Sequence, residues 1–435
     1  MTSEPTTAAT LRLWNATPAA EWLAAFPIGN GQLGGMVFGG TTHERVGLNH
    51  ERLWRGVTRN RTVPDVADRL PEIQAAFFAG DMARGAAMSE ELLGGKDQRI
   101  MPYQPVGDLL IDLHGTDDDV SGYEREIDLL TGVAATTWST GGHTIRRLVF
   151  ASADHNAIVV QMETTDPNGL DLAIRLDRRA SDPVRPRYAS EWVEPQQVKL
   201  TPWSRQNRAG FVGIFDEGIS FATEVRVMAS GGDAQVTSPD PEAATVLVAG
   251  AASVTAVLGI SVKTESTLMN RRDAVASHLD AVPASFERLL SSHLAEHVPA
   301  MERVRLHLPV DPEVERLPLS ARLERLRAGN DDPGLTSLWF AYGRYLLYNS
   351  SRRCEEPANL QGIWCEDLDP PWESDFHLNI NIQMNYWPAE VTNLPECLPP
   401  FVAFVERFVP SARDVAKRLY GADGVLMPHA TDRWG

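Results

Sequence analysis

The segment from Pro357 to Glu396 is the part of the chain richest in side chains that could bind or transform a small molecule. It interleaves amides and aromatic rings with carboxylates. The amide and aromatic members are Asn359, Gln361, Trp364, Trp372, Asn379, Asn381, Gln383, Asn385, Tyr386 and Trp387. Aromatic faces can lie against the C–H groups of a pyranose ring, and amides offer donor and acceptor atoms together to hydroxyl groups. The segment therefore predicts a site for a neutral polyol.

A structural role would explain some of the same residues, because Asn and Asp side chains often cap helix ends and turns. It accounts poorly for the alternation in which Asn379, Asn381, Gln383 and Asn385 follow one another. If this stretch opens a helix, Asn381 and Asn385 share one face of it.

Trp364 and Trp372 stand on either side of an acidic loop, residues 366–369. Both could shape the sugar site. Both could equally pack in the core, because tryptophans are highly buried on average.

Two shorter motifs suggest other chemistry. Gly29–Gly34 matches the GxGxxG pattern of dinucleotide-binding turns, but a strand-like run follows it where that fingerprint needs a helix. We therefore interpret it as a turn of a sheet. The motif HxxEH at His293, Glu296 and His297 could bind zinc as in inverted zinc peptidases. Both histidines also lie on an apolar helical stripe, which favours packing, and a zinc peptidase stays an alternative.

The elements that must position these residues change character along the chain. From about Leu11 to Val262, short strand-like runs separated by turn residues predict a large antiparallel β-sandwich. The runs are Gly35–Phe38, Leu109–Leu113, Ala134–Ser139, Ile145–Phe150, Ala157–Glu163, Leu170–Leu176, Phe221–Met228 and Val254–Ile260. A helical insert from Val66 to Leu93 interrupts them, and we expect it to pack against the sandwich.

After Val262 the hydrophobic period lengthens to about 3.6 residues, which is typical of helices. We place the β-sandwich at residues 1–267, a helical linker at 268–310 and a helical domain at 311–435. The apolar stripes of the last domain would need further helices to cover them. We therefore expect the chain as given to end inside that domain.

Composition excludes several classes of partner. The chain has 435 residues and a net charge of −18, which argues against binding to nucleic acid or to an anionic membrane. The valine-rich stretch Ala244–Val262 is interrupted by glycines and predicts sheet instead of a membrane span. Three cysteines without close spacing and a polar start, Met1–Thr10, predict free thiols and a cytoplasmic protein without a secretory signal.

Several motifs in this chain resemble those of glycoside hydrolase family 95, whose best-known members are α-1,2-L-fucosidases. The most specific are NLQGIW (359–364), DPPW (369–372) and HLNINIQMNYWPAE (377–390). Upstream matches follow in family order: LW (13–14), PIGNGQLGGMVFGG (27–40), LNHERLWRG (48–56) and YQPVGDL (103–109). The likeness runs over nearly the whole chain.

The resemblance implies a multidomain architecture: an N-terminal β-sandwich, a helical linker and an (α/α)6 barrel, of which this chain would hold the first helices. It also implies hydrolysis with inversion and no metal or other cofactor. Asn379 and Asn381 look like the family's catalytic asparagines, which hold the attacking water. The general acid, a glutamate, and the aspartate that polarises one asparagine have no matching positions here, so we expect the chain alone to be inactive.

The resemblance and the residues together place substrate contacts in the richest segment and just after it. We assign them to Trp364, Trp372, His377, Asn385, Trp387 and Asp432. The expected partner is a fucosylated oligosaccharide or glycan, with α-L-galactosides as the alternative because the two sugars differ only at C6. The oligomeric state is not predicted.

This chain departs from the family pattern at three places. Cys365 stands where the family usually has Asn, Arg353-Cys354 replaces Pro-Gly, and Pro428–Asp432 replaces an HHNTD-like segment. These changes affect the expected substrate fit more than the fold. A non-catalytic carbohydrate-binding fragment therefore stays a second hypothesis.

Overall fold

The computed structural model describes residues 11–94, 100–115, 117–179, 198–263 and 269–435. Its first part is built from sixteen strands among the described residues. They are β1 (Arg12–Asn15), β2 (Phe26–Gly29), β3 (Leu33–Val37), β4 (His43–His50), β5 (Gly107–Leu113), β6 (Ser121–Asp128), β7 (Val133–Thr140), β8 (His143–Ser152), β9 (Ala157–Thr164), β10 (Leu170–Asp177), β11 (Val198–Arg205), β12 (Arg208–Phe215), β13 (Ser220–Ser230), β14 (Gln235–Thr237), β15 (Thr245–Ala251) and β16 (Ser253–Lys263).

These strands form two antiparallel sheets. One has nine strands in the order β1-β6-β7-β8-β9-β16-β13-β12-β11, and the other has seven in the order β14-β15-β10-β5-β4-β3-β2. Strand β5 illustrates why these segments form sheet: Leu109, Ile111 and Leu113 are buried, while the residues that alternate with them, Asp108, Leu110 and Asp112, are partly exposed. Such alternation lets one face of a strand enter the core between the sheets. The predicted antiparallel strands are confirmed.

The second part is helical, as predicted. Its helices are α3 (Met269–Ala281), α4 (Phe286–Glu302), α5 (Pro312–Glu315), α6 (Leu319–Arg327), α7 (Pro333–Ser351), α8 (Asn381–Val391) and α9 (Leu398–Tyr420), while α1 (Leu70–Phe78) and α2 (Met82–Leu93) lie between β4 and β5. A short antiparallel two-stranded sheet of β17 (Phe376–His377) and β18 (Ala430–Thr431) lies beside them. Local signals set the helix ends: the Asp332 side chain accepts from Leu335 N at the start of α7, and Gly421, at φ 65°, ends α9.

The helical insert packs differently from the prediction. Helices α1 and α2 form as expected, but their apolar residues Ile73 and Leu92 cluster with Leu419 of α9. Val66 N also donates to the carbonyl of Arg418. The insert therefore rests on the helical part of the chain instead of the sandwich, a pairing between residues too distant in sequence for local periodicity to reveal.

Helix α4 carries the HxxEH motif against the nine-stranded sheet. His293 stacks on Phe150 with ring centroids 4.6 Å apart, and its Nε2 lies 2.8 Å from the carbonyl oxygen of Thr131. Glu296 instead accepts from Arg352 and Tyr348 of the helical part. Burial lowers the pKa of His293 to about 4, so the ring is neutral near pH 7. The three side chains serve packing and an ion pair, and no cluster of three or more metal-ligating side chains lies among the described residues.

The glycine-rich motif forms the turn between β2 and β3, as interpreted. Its backbone lies directly against α7: Gly31 N donates to the carbonyl of Asn349 over 2.8 Å. A Cβ on Gly31 would lie 1.6 Å from the carbonyl oxygen of Arg352, and one on Gly29 would lie 2.5 Å from that of Asn349. These glycines allow a close approach between backbones, which explains the motif without a nucleotide.

No helix in the described ranges is long and apolar enough to cross a membrane. Residues 1–10, on which the expectation about a leader rests, lie outside those ranges. Cys354, Cys365 and Cys397 are free thiols, and the last two are buried.

We predict that Gly31→Ala disrupts the docking of α7, since Gly31 combines a φ of 92° with the 1.6 Å approach. The free energy of unfolding should fall by more than about 3 kcal/mol. Gly343→Ala is the matched control: Gly343 lies on the exposed side of α7 with no atom within 4 Å of an added Cβ. It should be neutral or stabilising by up to about 1 kcal/mol. Denaturant unfolding of both variants tests this, and equal stabilities would contradict the role given to Gly31.

Candidate active site

The loop between α7 and α8 contains an unusual left-handed turn. Trp372, Glu373 and Ser374 have φ angles of 49°, 54° and 50°. Residues other than glycine rarely adopt this region, and each costs on the order of 1 kcal/mol. Hydrogen bonds to residues outside the turn help to hold it: Tyr103 N donates to the carbonyl of Glu373 over 2.9 Å, and Ser374 Oγ donates to Asn359 Oδ1 over 3.1 Å. The turn leaves the ring of Trp372 54% exposed.

A pocket of about 400 Å³ opens beside this turn. It is lined by Leu360, Gln361, Pro371, Trp372, His377 and Asn381. An aromatic face, two amides and an imidazole thus surround a space of the size that small ligands occupy. The geometry suits a small polar molecule with one apolar face.

Other recesses contain less suitable chemistry. Grooves of about 780 Å³ and 830 Å³ lie between the sandwich and α9 and beside α3, and neither includes a residue of the Pro357–Glu396 segment. The gap beneath Glu366, at about 10 Å³, is too small for a sugar. We therefore take the pocket beside Trp372 as the candidate site.

The two predicted catalytic asparagines lie at the start of α8. Asn381 is the first residue of the helix and lines the pocket, while Asn379 lies exposed in the turn before it. Ile380, at the N-cap position, has an apolar side chain that cannot accept from the first-turn N–H groups. This end of α8 therefore brings the amide of Asn381 and the positive end of the helix dipole to one edge of the pocket, while Asn379 lies two residues before it.

His377, in β17, lines the pocket, and its ring contacts the side chain of Asp375. The Asp375 carboxylate contacts Nδ1 of His377 and is itself buried. Burial raises the pKa of Asp375 to about 8, and the charges of Glu373 and Asp432 add to that rise. Burial also lowers the pKa of His377, with a further contribution from His429.

Three of the predicted substrate contacts have structural partners instead. Trp364 is buried, and its Nε1 donates to the carbonyl of Ile28 over 2.8 Å. Asn385 Nδ2 donates to the carbonyl of Asn359 over 3.2 Å, which ties α8 to the loop. Neither residue lines the pocket, and nor does Asp432, the third.

Asp432 is the third of these residues. It is fully buried, lies 2.6 Å from Arg61 in an ion pair and accepts from Met101 N and Trp434 N. It therefore holds the chain beside β18 in place. Asp432 does not line the pocket, but its charge contributes to the raised pKa of Asp375. The sequence around Asp432 does not predict this pairing, because Arg61 lies far away along the chain.

The remaining predicted residues are accessible. Trp372, His377 and Asn381 come together in the pocket, and Trp387 lies 60% exposed on α8. Gln361 lines the pocket and Asp375 contacts His377, and neither is among the substrate contacts predicted from the sequence. The signal for Asp375 was its position two residues before His377 on a strand-like run, which places both side chains on one face.

Comparisons with known proteins agree with these motifs. Residues 285–435 match the glycosyl hydrolase family 95 catalytic domain, and residues 13–267 match the N-terminal domain of glycosyl hydrolase family 65. Alpha-L-fucosidase 2 of Arabidopsis thaliana is 28% identical over 98% of this chain and 52% of its own length. A probable alpha-fucosidase A of Aspergillus niger is 29% identical over 97% of this chain and 53% of its own length.

The match to the family 95 catalytic domain covers about a third of this chain, and the relatives named as fucosidases align with nearly all of it. The chain spans about half the length of the curated relatives that it matches. A putative kojibiose phosphorylase from the human microbiome has a similar fold, with a TM-score of 0.57 and 12% identity over 98% of this chain and 53% of its own. At that identity the likeness concerns the fold alone.

Trp364 is buried, so its replacement should lower stability. Trp364→Phe removes the hydrogen bond to Ile28 and part of a packed ring, so the free energy of unfolding should fall by about 1–3 kcal/mol. Trp387→Phe, at an exposed ring, should change stability by less than about 0.5 kcal/mol. Denaturant midpoints of the two variants measure this difference. A stable Trp364→Phe variant with weakened sugar binding would instead place Trp364 in the site.

Proposed function

We propose that this chain forms the substrate-binding face of a glycosidase that releases terminal α-L-fucose from oligosaccharides or glycans. The supporting observation is that relatives named as fucosidases align with nearly the whole chain, in which Trp372, His377 and Asn381 line one pocket. The exposed indole of Trp372 offers an apolar face to the sugar. Gln361 and Asn381 offer donors and acceptors to its hydroxyl groups.

In the proposed reaction, Asn379 and Asn381 hold the attacking water at the amino end of α8. An amide oxygen can accept a hydrogen bond from water and orient it toward the anomeric carbon. It is too weakly basic to take the proton alone, so a further group must polarise the pair. Inversion also requires an acid on the opposite side of the sugar, separated widely enough to admit that water.

Neither buried carboxylate near the pocket suits the role of that acid. Asp375 is bonded to His377, and Asp432 is paired with Arg61. Both side chains are thus engaged in holding the scaffold. We propose that the general acid and the group that polarises the asparagines come from elsewhere in the protein, and we expect the 435-residue chain to bind fucosides with little turnover.

We also propose the domain division at residues 1–267, 268–310 and 311–435, with the last as the opening of an (α/α)6 barrel. Helix α8 supports the barrel, because Met384, Trp387 and Val391 form an exposed apolar stripe along the helix. Trp339 of α7 is also 74% exposed. Such surfaces are typical of helices that pack against further helices.

Binding is tested with 2′-fucosyllactose and the 435-residue chain by calorimetry. Trp372→Ala should weaken binding about tenfold, because an aromatic contact contributes roughly 1–1.5 kcal/mol. Trp339→Ala is the matched control, since it removes an exposed tryptophan that does not line the pocket. Equal affinities of all three proteins would place the sugar elsewhere. Substituting L-galactosides for fucosides in the same titration distinguishes the two sugars.

The catalytic role of Asn381 is tested by turnover of the complete gene product on aryl α-L-fucosides. Asn381→Ala should lower kcat about 100-fold or more with little change in KM, because a group that positions water acts in the transition state. Asn385→Ala is the control: it breaks the bond to Asn359 and should cost stability more than kcat. A change in KM alone for Asn381→Ala would remove its catalytic assignment.

A further inference from the structure

His377 presents only one of its ring nitrogens to the pocket. Nδ1 is bound by the Asp375 carboxylate, so Nε2 is the nitrogen left for a ligand. The backbone fixes this arrangement: His377 pairs with Ala430 in the two-stranded sheet of β17 and β18, and the Asp375 carbonyl accepts from Leu360 N over 3.1 Å. Asp375 N in turn donates to the carbonyl of Trp372. The pair is therefore held rigidly behind the pocket.

The chemical character of Nε2 follows from the number of protons that the pair holds. With two protons, either Asp375 is neutral and donates to Nδ1, or Asp375 is ionised beside an imidazolium. In both arrangements Nε2 carries a hydrogen. With one proton, the carboxylate accepts from Nδ1–H and Nε2 has only a lone pair. Whether the second proton is on Asp375 or on Nδ1 of His377 makes no difference to Nε2. If the pair holds that proton, Nε2 donates a hydrogen bond, and if it does not, Nε2 accepts one.

We propose that Asp375 is a positioning residue that keeps Nε2 of His377 protonated, so that His377 donates a hydrogen bond to a substrate oxygen and does not act as a base. The identity of that oxygen, a hydroxyl or ring oxygen of the sugar, rests on the proposed function. The protonation of the pair is a property of the chain alone. Neither ring nitrogen is then available to take a proton from water.

The surroundings of the pair favour the two-proton form. Asp375 is buried and faces the carboxylates of Glu373, in the left-handed turn, and Asp432, after β18. Arg61 neutralises much of the charge of Asp432, and His429 is the titratable group that faces His377. The resulting pKa of about 8 for Asp375 lies above its ordinary value, so the extra proton is retained at neutral pH and lost as the pH rises past 8.

Nitrogen NMR of the chain labelled with ¹⁵N-histidine tests the proposal without requiring turnover. The His377 signals are identified by their loss in His377→Gln. We expect an Nε2–H resonance at pH 6–7 that disappears above about pH 8, following the pKa of the pair. An unprotonated Nε2 at pH 6–7 in the folded chain would overturn the proposal.

A charge variant separates this electrostatic role from a merely structural one. Glu373→Gln removes a negative charge that raises the pKa of Asp375, so the Nε2–H signal should be lost at a pH lower by roughly half a unit or more. Glu390→Gln, at an exposed position on α8, is the matched control and should leave the transition where it is. Identical transitions in both variants would contradict the role of Asp375 as the titrating partner.

Sugar binding is scored separately on the same samples. Affinity for 2′-fucosyllactose should fall about tenfold from pH 7 to pH 9.5, as expected for losing one hydrogen bond. If the NMR transition occurs but no fucoside binds at either pH, the proton pair stands and the proposed fucosidase function fails. If fucosides bind equally at both values while Nε2 loses its proton, the donor role of His377 is wrong.

Discussion

Three consecutive backbone carbonyls of one edge strand hold the helical part of the chain on the sandwich. The carbonyls of Pro27–Gly29 in β2 accept from the Tyr345 hydroxyl, the Trp364 indole and the Arg352 guanidinium, at 2.7, 2.8 and 3.1 Å. Strand β2 is the last strand of its sheet, so the carbonyls of Pro27 and Gly29 on its outer edge have no strand partner. Buried carbonyls without partners each cost on the order of 1–3 kcal/mol, which makes this edge and its covering helix interdependent.

The contacts between β2 and the helical part also fix the geometry of the pocket. Helix α7 ends at Ser351, and the loop that follows carries every pocket residue before α8. Trp364 anchors this loop to β2, while Tyr103 reaches it twice, through its backbone N–H to Glu373 and its hydroxyl to Ile363. The sandwich therefore acts as the template on which the left-handed turn is held. A site built on a loop needs such a rigid support, because positioning errors of about 1 Å are costly in catalysis.

Helix α7 also organises the helices that lie around it. The Arg344 guanidinium donates to the carbonyls of Ala300, Met301 and Val304 at the end of α4 and to that of Thr392 after α8. These carbonyls at helix ends have no partner within their own helix, so one buried arginine satisfies four of them. Helix α7, which approaches the sheet, is thus linked to the ends of α4 and α8 through Arg344.

Local periodicity in the sequence determined which segments form strands and helices. The alternation in Leu109–Leu113 and the stripe through Leu335–Leu346 each depend on residues a few positions apart, and both appear in the structure as β5 and α7. The spacing of Asn381 and Asn385 likewise places both on one face if the segment is helical, and α8 does span both residues. These features could be predicted because their physical cause lies within one turn or one strand.

Only the tertiary structure decided which polar and aromatic side chains face the pocket. Trp364 and Trp372 are the same residue type eight positions apart, yet one donates to Ile28 in the core and the other lies exposed. Asp432 is paired with Arg61, more than 300 residues away, and Asp375 is buried among carboxylates that raise its pKa. Burial and charge pairing of this kind depend on which distant segments meet. No spacing along the chain encodes that directly, since the same side chain can be satisfied by a ligand, by water or by a remote partner.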